Sequence, residues 1–147
     1  MEIQGEALRR LEAGLVRRLP RVLTVVAVLL VPWIGVLIAT VPGRVGARDF
    51  ANSWIGLDVF EVCALLALAP LVRREHRGAS PLAAAAAVVF ALDAYFDVMS
   101  AAPRVDYLVA LLMAYLAELP LAGLLAWLSW HALRWAAVRE AEPSEPR

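Results

Sequence analysis

Five carboxylates stand inside stretches that are otherwise apolar: Asp58, Glu61, Asp93, Asp97 and Glu118. No Lys or Arg shares those stretches. A charged side chain at the centre of a bilayer costs roughly 2.5–3.5 kcal/mol, so five together call for a common explanation. Oxygen-only ligands suit a hard cation such as Mg²⁺, Ca²⁺, Mn²⁺ or Na⁺. Packed carboxylates can also share or relay a proton. A third reading is a hydrogen-bond network of acids, hydroxyls and backbone that holds helices together. In that case the chain would be a non-catalytic assembly or interaction subunit.

A fourth reading is catalysis. Asp93-Ala-Tyr-Phe-Asp97 is a D-x-x-x-D, the spacing with which intramembrane prenyltransferases and CDP-alcohol phosphotransferases hold Mg²⁺ against a diphosphate. The chain has no D-G-x-x-A-R and no second D-x-x-x-D. Four helices are also too few for a prenyltransferase barrel. A divalent-metal-dependent lipid or isoprenoid enzyme therefore stays as an alternative, with no catalytic residue assigned. No Gly-rich phosphate loop, Ser–His–Asp set or nucleic-acid patch is present.

The acids must be positioned by membrane helices. The chain has 147 residues, 62% of them hydrophobic, against about 45–50% in an ordinary soluble domain. Its mean hydropathy is +0.69. Spans are expected at 22–41, 53–72, 81–100 and 107–130, each long enough to cross a hydrocarbon core. Short connections predict an all-α, antiparallel four-helix bundle within residues 22–139. Residues 1–21 precede it, where Leu8, Leu11, Leu15 and Leu19 fall at helical spacing between arginines. That pattern predicts an amphipathic helix on the inner leaflet. A cleaved secretory signal ending near Ala47 is the rival view, but the apolar run is longer than a signal core. Residues 140–147 are polar and Pro-containing, which predicts a disordered tail.

Arginine sets the orientation. Eleven arginines fall on the side of the two termini and the second connection, and three (Arg44, Arg48 and Arg104) fall on the other. The positive-inside rule then places both termini in the cytoplasm and the protein in the inner membrane. Trp127, Trp130 and Trp135 fit an interfacial belt. The single Cys63 excludes an internal disulfide, and its position predicts a packing residue. His76 and His131 are both expected at the cytoplasmic face, away from the acids, which weakens a zinc, copper or iron site.

With this topology all five acids lie in the outer half. Asp58 and Glu61 are roughly 8 and 12 Å deep and Glu118 roughly 16 Å, at 1.5 Å per residue. Faces agree too. Trp54, Asp58 and Glu61 share one side of their helix, as do Phe90, Asp93 and Asp97. Tyr107, Leu111, Tyr115, Glu118 and Ala122 do the same on the last helix. Trp54, Tyr95 and Tyr115 are the expected supporting residues, with the Tyr115 hydroxyl able to share a proton with a carboxylate. Pro120 should kink its helix and free the Leu116 carbonyl as an oxygen ligand. Arg44, Arg48 and Arg104 are placed to reach Asp58 and Asp97 from the outer loops.

The strings Trp54-Ile-Gly-Leu-Asp58, Asp93-Ala-Tyr-Phe-Asp97 and Glu118-Leu-Pro120-Leu-Ala resemble a group of uncharacterised actinobacterial four-helix integral membrane proteins with W-x-G-L-D, D-A-W-F-D and E-L-P-L-A. Tyr95 stands where the pattern has Trp. The resemblance covers about half of the chain, includes all five acids, and implies fold and source rather than activity. The lysine-free, Arg- and Ala-rich composition is consistent with a high-GC genome. Besides the lipid bilayer, the expected company is a second copy of the chain or another membrane protein, because four helices rarely enclose a translocation path. Nucleic acid is not expected.

Overall fold

The computed structural model describes the backbone of residues 2–40, 47–101 and 105–141, and side chains within 13–36, 38–39, 55–101 and 107–135. The described chain is an all-α bundle of four helices, with no strand among the described residues. Helix α1 is Glu2–Thr40, α2 is Ala47–Arg73 and α3 is Ala79–Ser100. The fourth helix is composite: α4 (Val105–Met113), a π-helical turn (Ala114–Glu118) and α5 (Leu119–Ala141) follow one another without a break. α3 packs mainly on α5 and α1 mainly on α2, while α2 joins the two pairs through α3.

All four helices are long and apolar enough to cross a membrane, through Ala13–Val36, Ile55–Arg73, Ala79–Ser100 and Tyr107–Trp135. Their outward faces carry Val28, Leu29, Val31, Val88, Met99, Leu108, Leu112, Leu116 and Leu133, all exposed. Such a surface is unfavourable in water and ordinary against acyl chains.

The segment expected to lie on the inner leaflet and the first span are continuous: α1 runs unbroken from Glu2 through Pro20 and Pro32. Proline removes the amide that would reach the Val16 carbonyl, a loss that apolar helices tolerate. The Thr24 hydroxyl donates back to the Pro20 carbonyl at 2.9 Å, the i−4 contact of a helical threonine. Of the leucine stripe expected at 8–19, Leu8 and Leu11 lie outside the described side chains, Leu15 is exposed and Leu19 is in the core. Trp54, Arg44, Arg48 and Arg104 and the tail from 142 also lie outside the described side chains.

α2 stops because the chain turns left-handed at Glu75, with φ 48°. The His76 amide donates to the Leu71 carbonyl at 2.9 Å and the Glu75 amide to Val72 at 3.1 Å. These two bonds form a Schellman cap, which usually places Gly at the left-handed position. The Gly78 amide then donates to His76 Nδ1 at 3.0 Å, and α3 begins at Ala79.

The apolar core fills one half of the bundle. Leu19, Leu23 and Ala27 of α1, Leu65, Leu68 and Val72 of α2, Ala83, Ala86, Ala87 and Phe90 of α3, and Leu125, Leu128 and Ala132 of α5 form one buried cluster. The alanines of α3 let neighbouring backbones approach closely, as small residues do in membrane bundles. Ser80 and Ser129 place their hydroxyl oxygens 3.4 Å apart across the α3–α5 contact.

Candidate functional site

The same inward faces carry the acids once the apolar core ends. On α2 the buried positions run Asp58, Glu61, Ala64, Leu65, Leu68, Val72, which is the 3.6-residue period of one helix face. On α3 they run Ala79, Ala83, Ala86, Phe90, Asp93 and Ala94, with Asp97 half-buried. On the fourth helix they run Ala114, Glu118, Ala122, Leu125, Leu128, Ala132. One end of the bundle interior is therefore apolar and the other is lined by carboxylates. α1 contributes no acid to this layer, since residues 13–40 contain neither Asp nor Glu.

The structure brings all five acids together. Carboxylate oxygens of Asp58, Glu61 and Asp93 lie within 4.8 Å of one another, and so do those of Asp93, Asp97 and Glu118. Asp93 belongs to both groups, so the five form one continuous string across three helices. Glu61 is 2% exposed and Glu118 8%. The Asp97 and Glu118 carboxyls face each other, so a proton on either can be shared with the other. Glu61 Oε1 and Glu118 Oε2 are buried with no hydrogen-bond partner. Buried acceptors of this kind are rare in folded proteins and demand an explanation.

No basic residue faces the layer among the described residues. His131 is stacked on Trp127 at 5.0 Å and meets Trp135 edge-on at 6.0 Å. It lies thirteen residues beyond Glu118, roughly 20 Å along the helix. His76 is exposed in the α2–α3 connection.

Two supporting residues lie elsewhere than expected. Tyr115 is 66% exposed and Tyr95 58%. Both line a shallow apolar groove with Ala91, Val98, Met99 and Leu111 on the outer surface between α3 and the fourth helix. The reason for Tyr115 is local. The π turn holds one more residue than an α turn, so Tyr115 no longer shares a face with Glu118 as regular helical spacing required. Cys63 is likewise exposed rather than packed inside.

Pro120 explains the turn. It has no amide hydrogen to give the preceding turn. The helix widens just before the proline. The Leu119 amide donates to Ala114, five residues back. π turns of this sort gather at functional sites. This one ends at the buried Glu118. Sequence periodicity missed the widening, and the Glu118-Leu-Pro120 spacing was the signal that held it.

Chemically, the layer offers at least five oxygen ligands and, among the described residues, no nitrogen or sulphur. The geometry fits a cation in size: two oxygens on opposite sides of a Ca²⁺ at about 2.4 Å are about 4.8 Å apart. Compared with known proteins, the chain matches no protein-family model, no curated protein and no solved structure.

Proposed function

We propose that this is a multi-pass membrane protein that binds a hard cation in its acid layer, in the service of transport or sensing. The residues that hold it are Asp58, Glu61, Asp93, Asp97 and Glu118. The observation that carries this reading is the pair of orphaned oxygens, Glu61 Oε1 and Glu118 Oε2. A network kept for packing alone satisfies its own acceptors, since an unmet buried one costs about 1–3 kcal/mol. A cation supplies what both atoms lack. The absence of Lys and Arg from the spans around the acids leaves a cation or protons as the source of compensating charge.

In this reading consecutive helices run antiparallel, and the arginine-rich side, with both termini, faces the cytoplasm. The acid layer then sits in the outer half of the bilayer, and half-buried Asp97, near the end of α3, is its opening toward the outer surface. A second reading, a held proton, is favoured by the Asp97–Glu118 pairing.

A melting-temperature panel tests the proposal. The protein in detergent is heated in chelator and then in Mg²⁺, Ca²⁺, Mn²⁺, Na⁺ and K⁺. A cation at 100 times its dissociation constant stabilises by about 2.7 kcal/mol. Stabilisation by one or more of these ions is expected. Stability indifferent to all five would overturn the cation reading and leave the proton or the packing network.

A further inference from the structure

We infer that the acid layer holds two divalent cations at adjoining positions, bridged by Asp93. One is held by Asp58, Glu61 and Asp93 and the other by Asp93, Asp97 and Glu118. The inference rests on the reading that the layer binds hard cations, and it fixes their number and arrangement.

Three observations carry it. The first is connectivity. In each triad the carboxylate oxygens lie within 4.8 Å of one another, and Asp93 is the single member common to both. A carboxylate has two oxygens, so one residue can present one to each of two ions. Bridged pairs of this kind place their ions about 3.5–4 Å apart.

The second is the distribution of orphaned atoms. Glu61, with its orphaned Oε1, belongs to the first triad and Glu118, with its orphaned Oε2, to the second. Both residues are more than nine-tenths buried. One ion seated in either triad would leave the other triad's oxygen unmet, whereas two ions meet both.

The third is charge. Five carboxylates carry five negative charges when ionised, and no basic side chain faces them among the described residues. One divalent ion leaves three of those charges uncompensated in a low-dielectric interior. Two leave one.

The positions differ in access. All three members of the first triad are buried, whereas the second includes half-buried Asp97. The second position is therefore the one that exchanges with the medium, and the first fills through it.

Mn²⁺ is the probe, because it is a hard oxygen-seeking ion and paramagnetic. The full-length protein in detergent, stripped with chelator, is titrated with Mn²⁺ and followed by calorimetry and electron paramagnetic resonance. Two ions per chain are expected. The first equivalent gives the six-line signal of an isolated ion, and the second replaces it with the broadened spectrum of a coupled pair. E61Q and E118Q should each bind one ion and keep the isolated signal. E61D and E118D, which retain a carboxylate, should recover the second ion at reduced affinity. Elution volume and helical circular dichroism show that each variant is folded, and the parent titration decides the count even where a variant fails to fold. Saturation at one ion, or two ions with uncoupled spectra, overturns the bridged pair and leaves the cation reading standing. No binding of Mn²⁺, together with a flat cation panel, overturns that reading itself.

Discussion

Replacing Asp93 by Asn separates a cation site from a packing network, because Asp93 alone belongs to both carboxylate triads. Two unit charges 4.8 Å apart repel by about 3.5 kcal/mol at an effective dielectric of about 20. A fully ionised triad without a cation thus carries about 10 kcal/mol of repulsion from its three pairs. That is as large as the whole stability of a typical domain, about 5–15 kcal/mol. The acids must be compensated, and Asp93 has two partners in each triad to repel. In chelator, Asp93→Asn removes a charge and keeps the shape, so its melting temperature should equal or exceed the parent's. In saturating cation the order reverses. The parent gains about 2.7 kcal/mol at 100 times the dissociation constant, worth roughly 5–11 °C for a chain of this size. The variant loses most of that gain. The assay is a pair of melts, with and without the stabilising cation, on parent and variant prepared identically. If Asp93→Asn lowers the melting temperature by the same several degrees in both conditions, Asp93 is a packing residue and the charge argument fails.

Other outcomes follow from the same geometry. Tyr115→Phe should leave cation-dependent stabilisation unchanged, because the ring is exposed on the outer groove; a lost cation shift in the melt would place its hydroxyl in the layer after all. Glu75→Gly should raise stability by about 0.5–1 kcal/mol, since the left-handed cap at φ 48° strains any residue with a Cβ; reversible unfolding in a denaturing detergent reads the sign. Leu125→Ala, at a position with no exposed surface, should cost about 2 kcal/mol. That is the low end for such a change, because lipid and protein interior are similarly apolar and the cavity dominates. Leu116→Ala, on the exposed face, should cost close to nothing in the same measurement.

Much of this architecture is legible in the chain before it folds. Four apolar runs dictate four helices, because an unsatisfied backbone group in lipid costs too much for anything irregular. The period of the apolar residues dictates which face turns inward, and Asp58, Glu61, Asp93 and Glu118 occupy that face in continuity with Leu65, Phe90 and Leu125. Local hydrogen bonding decided what periodicity could not reach. Pro120 widened its turn through the Leu119–Ala114 bond, and Tyr115 was carried off the acid face.

What only the tertiary structure decided is distance. One-dimensional spacing places acids at similar depths on three helices, but it cannot say how those helices lean together or which rotamers their side chains take. Packing across α2, α3 and the fourth helix sets the carboxylates within 4.8 Å, makes Asp93 common to two groups, and leaves one oxygen in each group without a partner. The sequence by itself determined that an acid layer exists inside a membrane bundle, because hydrophobicity and helical period are local properties of the chain. Its division into two adjoining triads was decided by contacts between residues as far apart in the chain as Asp58 and Asp93, which no local property encodes.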